Sequence, residues 1–208
     1  RPVYQRHPVT TIAIIDHGAG NLVSIERALT LAGADTRVVD APADLDGVDA
    51  VVIPGVGATG AAMGRLDERG LVDPLRSWDG PLLGICVGMQ LLFDRSAEDG
   101  GPCLGLIPGS VEAIDGQPLP HMGWNDVATT GDLIFAGVPD GSLFTFVHSY
   151  AAVPDDPGVV TATADHGGRF VAAVRSGNRI GLQFHTERSG TAGLQVLKNF
   201  VAEVGRVA

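Results

Sequence analysis

Pro81-Leu82-Leu83-Gly84-Ile85-Cys86-Val87-Gly88-Met89-Gln90-Leu91-Leu92-Phe93 decides how the rest of the chain is read. Leu82–Ile85 is apolar at every position, as a strand covered on both faces is, and Met89–Phe93 is made of good helix formers. Between them Gly84 and Gly88 bracket a cysteine. This is the nucleophile-elbow pattern, strand to sharp turn to helix, with Cys86 in the place of serine. So tight a turn leaves no room for a Cβ beside the nucleophile, and the positive end of a helix favours the thiolate. A buried structural cysteine is the plainer alternative for any free thiol, and it is retained for Cys103, which has no such surroundings.

A strand covered on both faces implies a parallel sheet between helices, and the upstream sequence supplies one. Thr11–Asp16 is a short apolar run ending in the turn His17-Gly18-Ala19-Gly20. Asn21 then caps a helix whose apolar positions are Leu22, Ile25, Leu29 and Ala32, stopped by Gly33. Thr36–Val39 and Asp49–Ile53 are the next strands. Downstream the pattern changes to Val111–Ile114, Leu143–Val147, Val159–Ala164, Phe170–Val174 and Arg179–Phe184, separated by Gly, Pro, Asp and Asn. The last two flank Ser176-Gly177-Asn178, a hairpin signal. A final helix spans about Thr191–Val204. The expectation is one α/β domain over residues 11–208, a mostly parallel central sheet flanked by helices, with antiparallel strands in the C-terminal half. Arg1–Thr10 has no apolar signal core and reads as a native extension or a vector-derived remnant.

Composition narrows the function. Hydrophobic residues are 45% and charged residues 18% of 208, enough apolar surface for a sizeable core and too little charge for a disordered chain. Lys and Arg number 14 against 24 Asp and Glu, a net charge of −10, which argues against a broad basic face for nucleic acid. No apolar run approaches a membrane span. Two cysteines do not make a disulfide scaffold, so a reducing, cytoplasmic location is expected.

A cysteine nucleophile needs a base, and the base needs an orienting group. His185 directly follows the apolar strand Ile180-Gly181-Leu182-Gln183-Phe184, with Glu187 two residues on. His148, in Phe146-Val147-His148-Ser149-Tyr150, is the other choice and has no acidic neighbour in sequence. Pro54-Gly55-Val56-Gly57 closes the strand Asp49–Ile53 and can present backbone N–H groups to an oxyanion, as can Val87 after the nucleophile. Gly55-Val56-Gly57-Ala58-Thr59-Gly60 also matches G-x-G-x-x-G. A dinucleotide site would require an acidic residue closing the next strand, which closes on Cys86 instead.

Gly84–Gln90 together with His185-x-Glu187 resembles the triad-bearing class I glutamine amidotransferases. Ile15–Asn21, Pro54–Gly57, Pro120-His121-Met122-Gly123-Trp124-Asn125 and Phe146–Tyr150 narrow the resemblance to the glutaminase subunits of imidazole glycerol phosphate synthases, from about Ile12 to Phe200. The resemblance implies that Cys86 attacks the glutamine carboxamide, with His185 as base and then acid and Glu187 orienting it. Gln90, Glu98, His148, Ser149 and Tyr150 would line the glutamine pocket. Asn21, Pro120, Met122, Trp124 and Arg188 would face the partner and the ammonia route. It further implies a heterodimer with a (β/α)₈ cyclase subunit, and no metal or cofactor. For Trp124 an ordinary core position is the equal alternative. Two departures stand out: His-Thr186-Glu replaces the usual His-Pro-Glu, loosening the argument for Glu187's position, and His17 stands where an aromatic residue is common. Other readings are a glutaminase serving another synthase, such as anthranilate or pyridoxal phosphate production, a catalytically silent binding subunit, and a cysteine hydrolase of esters or thioesters.

Overall fold

The computed structural model describes residues 10–207, so Arg1–Val9 of the N-terminal extension lie outside the described residues. The chain begins with β1 (Thr11–Ile15), α1 (Leu22–Ala32), β2 (Asp35–Val39), β3 (Ala50–Ile53), α2 (Thr59–Glu68), α3 (Val72–Arg76), β4 (Leu82–Ile85) and α4 (Val87–Gln90). β3 and β4 are buried at every residue, as their unbroken apolar runs require. Asn21 caps α1 by accepting from the Ser24 N–H, and Gly33 ends it at φ 103°. Then follow β5 (Arg95–Ser96), β6 (Gly109–Ala113), β7 (His121–Thr129), β8 (Ser142–His148), β9 (Tyr150–Pro154), β10 (Val160–Asp165), β11 (Arg169–Ser176), β12 (Arg179–Leu182) and α5 (Gly190–Val207).

Among the described residues nine strands form one sheet in the order β2-β1-β3-β4-β12-β11-β10-β7-β8. β2, β1, β3, β4 and β12 are parallel neighbours, and the strands from β12 through β8 pair antiparallel. The expected change of character is therefore real, but it occurs within one continuous sheet. Helices α1 and α5 pack together, and α2 packs against α3 and α4. β11 and β12 form the expected hairpin, its two-residue turn Gly177-Asn178 enclosed by the pair Ser176↔Arg179.

Two features depart from the sequence expectation. β5, β6 and β9 make a separate three-stranded sheet, because the chain leaves the large sheet at His148 and enters the small one at Tyr150. β7, nine residues long, reads poorly as a strand: Gly123 and Asn125 interrupt it, and its residues alternate between buried and open positions without a regular apolar face.

Candidate active site

Three adjacent parallel strands deliver the three parts of the site at their carboxyl ends. β3 runs into Pro54-Gly55-Val56-Gly57, β4 into Cys86, and β12, through Gln183 and Phe184, into His185. Cys86 has φ 54°, the one positive φ on a non-glycine residue among those described. Such a conformation costs about 1–3 kcal/mol and persists only where its surroundings impose it. Here the Cys86 N–H donates to Leu182 O at 2.7 Å, and its own carbonyl accepts from Met89 N–H at 3.0 Å. The flanking glycines are sterically required. A Cβ on Gly84 would lie 2.4 Å from Gly88 O, and one on Gly88 only 1.7 Å from Ile53 O.

The helix after the elbow is shorter than Met89–Phe93 suggested. α4 is a single turn, Val87–Gln90, after which the chain continues in tighter turns, the Leu92 and Phe93 N–H groups donating to Met89 O and Gln90 O, with Leu91, Leu92 and Phe93 completely buried. One turn carries little macrodipole, so the helix terminus contributes less to a thiolate than the sequence pattern implied. Cys86 and His185 lie past the strand ends as expected, yet both are buried, at 2% and 4% exposure.

His185 Nδ1–H donates to Glu187 Oε1 at 2.9 Å. The backbone of His185 is held at both ends: its amide N–H donates to Thr145 O at 2.9 Å, and its carbonyl accepts from Ser189 Oγ at 2.6 Å. Thr186 stands in the first position of a 3₁₀ turn, Thr186–Arg188, and the histidine–glutamate pair forms with threonine between its members. Burial opposes a charge on His185, but the close Cys86 sulfur and the Glu187 carboxylate override it and push its pKa up to about 10. The sulfur's directed contacts in this conformer are a long one to Val147 O, 3.8 Å, and one from Gln183 Nε2, 3.7 Å, rather than to the ring. Loose nucleophile–base geometry is usual before substrate is bound.

His148, the alternative base, is engaged at both nitrogens. Nδ1–H donates to Tyr150 O at 2.9 Å, and Nε2 faces His121 Nδ1 at 3.1 Å. Burial, reinforced by His121, His166 and His185, pushes it down to about 4 against the pull of the Tyr150 carbonyl. Burial and His166 likewise hold His121 at about 4. The two rings are thus neutral together, one donating and the other accepting.

A cavity of about 130 Å³ lies over the sulfur, lined by Val56, Gly57, Val87, Gln90, Glu98, His148, Ser149, Tyr150, His185 and Arg188 as well as Cys86. All five residues expected to contact substrate therefore meet there, although Gln90 and Glu98 are also engaged with the protein. Gln90 Nε2 donates to Tyr150 O, and Glu98 Oε2 accepts from the Thr59 N–H at 3.0 Å. With Asp99 Oδ2 accepting from Gly60 N–H, two carboxylates occupy the start of α2. An anionic pyrophosphate would be repelled there, which removes the G-x-G-x-x-G reading. The N–H groups of Gly55, Val56, Gly57 and Val87 have no acceptor among the described residues. Gly55 is crowded, since a Cβ would approach Val87 Cβ to 2.9 Å, whereas Gly57 sits at φ 91° with open space around it.

Met122 and Trp124 project from β7 at 68% and 58% exposure, so the core alternative for Trp124 is excluded. In register they lie opposite Val147 and Thr145 of β8, and it is the Thr145 carbonyl that accepts from the backbone N–H of His185. Asn21, Pro120 and Arg188 are also exposed. A larger groove of about 730 Å³ lies elsewhere, between the two sheets, and contains none of Cys86, His185 and Glu187.

Sequence reading missed three residues. Gln183 is fully buried against Cys86, and its signal was a lone amide in an apolar strand. His121 was noted only as part of a motif. His17, also fully buried, donates from Nε2 to Pro54 O at 2.6 Å, and burial lowers its pKa. It therefore fixes the first peptide of the Pro54–Gly57 loop, a consequence that nothing in its sequence position announced.

The model of the family "Glutamine amidotransferase class-I" matches residues 13–204. The chain belongs to that family. This amidotransferase is 47% identical over 198 residues to the imidazole glycerol phosphate synthase subunit HisH of Xanthomonas axonopodis pv. citri (strain 306), covering 93% of this chain and 98% of the relative. It is 46% identical over 196 residues to the subunit of the same name from Moorella thermoacetica (strain ATCC 39073 / JCM 9320), covering 91% and 93%. A solved glutamine amidotransferase superposes with a TM-score of 0.75 over 94% of this chain and 98% of its own, at 20% identity, which speaks for the shared fold.

Proposed function

We propose that this chain is the glutamine-hydrolysing subunit of an imidazole glycerol phosphate synthase in histidine biosynthesis. The observation that carries the reading is identity close to one half, over nearly the whole of both chains, to subunits of that synthase. The site's geometry supports the chemistry. Cys86 Sγ, its proton taken by His185, attacks the glutamine carboxamide carbon. The resulting oxyanion sits against the unpartnered N–H groups of Val56 and Val87, with Gly55 and Gly57 setting the loop's shape. His185, held by Glu187, returns the proton to the departing nitrogen, so ammonia leaves and a thioester remains. Water, deprotonated by the same imidazole, then releases glutamate and restores the thiol. Gln90, Glu98 and the segment His148–Tyr150 enclose the amino-acid part of the substrate.

The ammonia goes to a cyclase subunit of (β/α)₈ fold, for which the exposed Met122 and Trp124, together with the exposed Asn21, Pro120 and Arg188, provide the docking residues. Both cysteines are free, as suits the reducing cytoplasm, and no helix among the described residues is long and apolar enough to cross a membrane. The test has two arms. Treatment with diazo-oxo-norleucine followed by peptide mapping should give an adduct on Cys86 and none on Cys103; no adduct would leave a silent subunit. Glutamate release should be slow for the chain alone and rise about 10²–10³-fold with the cyclase and its nucleotide, the worth of one oxyanion donor brought into place. Equal rates with and without the cyclase would overturn the assignment to this synthase.

A further inference from the structure

Gln183 is the one side chain that donates a hydrogen bond to the Cys86 sulfur among the described residues, its Nε2 at 3.7 Å. It is fully buried, and its amide orientation follows from a backbone group. The Tyr150 carbonyl can only accept, so the terminal atom of Gln90 that lies 2.9 Å from it must be Nε2. That nitrogen is also 3.2 Å from a terminal atom of Gln183, which must therefore be Oε1. The remaining atom, the one facing Sγ, is Nε2, a donor.

We propose that Gln183 is a further catalytic residue, whose carboxamide N–H stabilises the negative charge on the Cys86 sulfur, in an orientation imposed by Gln90 and the Tyr150 carbonyl. The inference rests on the reading of Cys86 as nucleophile. A donor is needed there for two reasons. The elbow helix is a single turn and offers little dipole, and the Val147 carbonyl 3.8 Å from the sulfur disfavours negative charge. A hydrogen bond to a charged acceptor is stronger than one to a neutral acceptor, so Gln183 favours the sulfur as nucleophile over the sulfur as thiol.

The experiment compares Gln183→Met and Gln183→Glu with the wild-type chain by the rate of iodoacetamide alkylation at Cys86, followed by peptide mass across a pH series. Met removes the donor at similar volume. Glu keeps the shape and still accepts from Gln90, but turns a carboxylate oxygen toward Sγ. At pH 7 alkylation should slow about tenfold in Gln183→Met and further in Gln183→Glu, with profiles displaced to alkaline pH and high-pH plateaus retained. A purely structural role would rank the variants the other way, since Glu is the closer isostere, and would lower the plateau. That ranking, or unchanged profiles, overturns the inference. If wild-type Cys86 is no more reactive than Cys103, the nucleophile assignment itself has failed, a result distinct from Cys86 being reactive yet indifferent to Gln183.

Discussion

Replacing Thr186 with proline should stabilise the protein without harming its activity. Thr186 opens the 3₁₀ turn Thr186–Arg188, a first-turn position whose φ suits proline. Its N–H donates to nothing among the described residues, so none of their hydrogen bonds is lost. The preceding residue, His185, is extended at φ −86° and ψ 99°, the region a following proline favours. Two gains add. Restricting the unfolded chain contributes about 0.4–1 kcal/mol. Thr186 is 1% exposed and its Oγ1 has no hydrogen-bond partner in the protein, so deleting that hydroxyl relieves a burial cost of about 1 kcal/mol. A total near 1.5–2 kcal/mol corresponds to a rise in Tm of roughly 3–8 °C at this chain length. Thermal unfolding followed by circular dichroism measures it, with Thr186→Val as the control that removes the hydroxyl but leaves φ free and should give about half the gain. A loss of stability in Thr186→Pro, or a tenfold fall in glutamate release, would show that the backbone holding Glu187 is incompatible with proline.

Cys86→Ala should abolish glutamate release while Cys103→Ala leaves it within twofold; the opposite pattern refutes the nucleophile. His17→Phe keeps the ring volume but removes the donor to Pro54 O, and should lower kcat about tenfold with KM for glutamine nearly constant, since only the oxyanion loop loses its anchor. A change in KM alone would place His17 in substrate binding. Stability should fall as pH drops from 6.5 toward 4, because unfolding frees His121 and His148 to take protons that the folded state, with both near 4, refuses. It should also fall as pH rises from 6.5 to 10, where the unfolded chain has lost the proton that folded His185 keeps. Glu187→Gln should flatten this alkaline limb, and urea unfolding across the pH series reads both limbs.

The parallel half of the fold was legible because each of its strands announces itself locally. β3 and β4 are unbroken apolar runs, and Asn21 and Gly33 mark both ends of α1. The candidate cysteine, histidine and glutamate could be picked out for the same reason: Cys86 sits in a local glycine bracket, and Glu187 is only two residues from His185. What escaped notice depends on contacts distant in sequence. Gln183 meets Gln90 across a separation of 93 residues, and His17 meets Pro54 across 37. The second sheet was equally hidden, because β5, β6 and β9 are joined through non-local pairs and Ser149 gives no sign that the chain changes sheets there. The length of α4 was misjudged because Leu91–Phe93 has high helix propensity, and burial of all three side chains overrode it.

The Tyr150 carbonyl, where Gln90 and His148 both donate at 2.9 Å, is a terminus in the polar chain between β7 and the sulfur. On one side Asn125, His121 and His148 follow one another toward it, and on the other Gln90 leads through Gln183 to Cys86. A group passes a proton onward only if it can both receive and release one, and a backbone carbonyl only receives. The chain therefore transmits orientation but not acid. A proton arriving at the histidines from the surface stops one bond short of the amides, so none reaches the Cys86 sulfur along this chain.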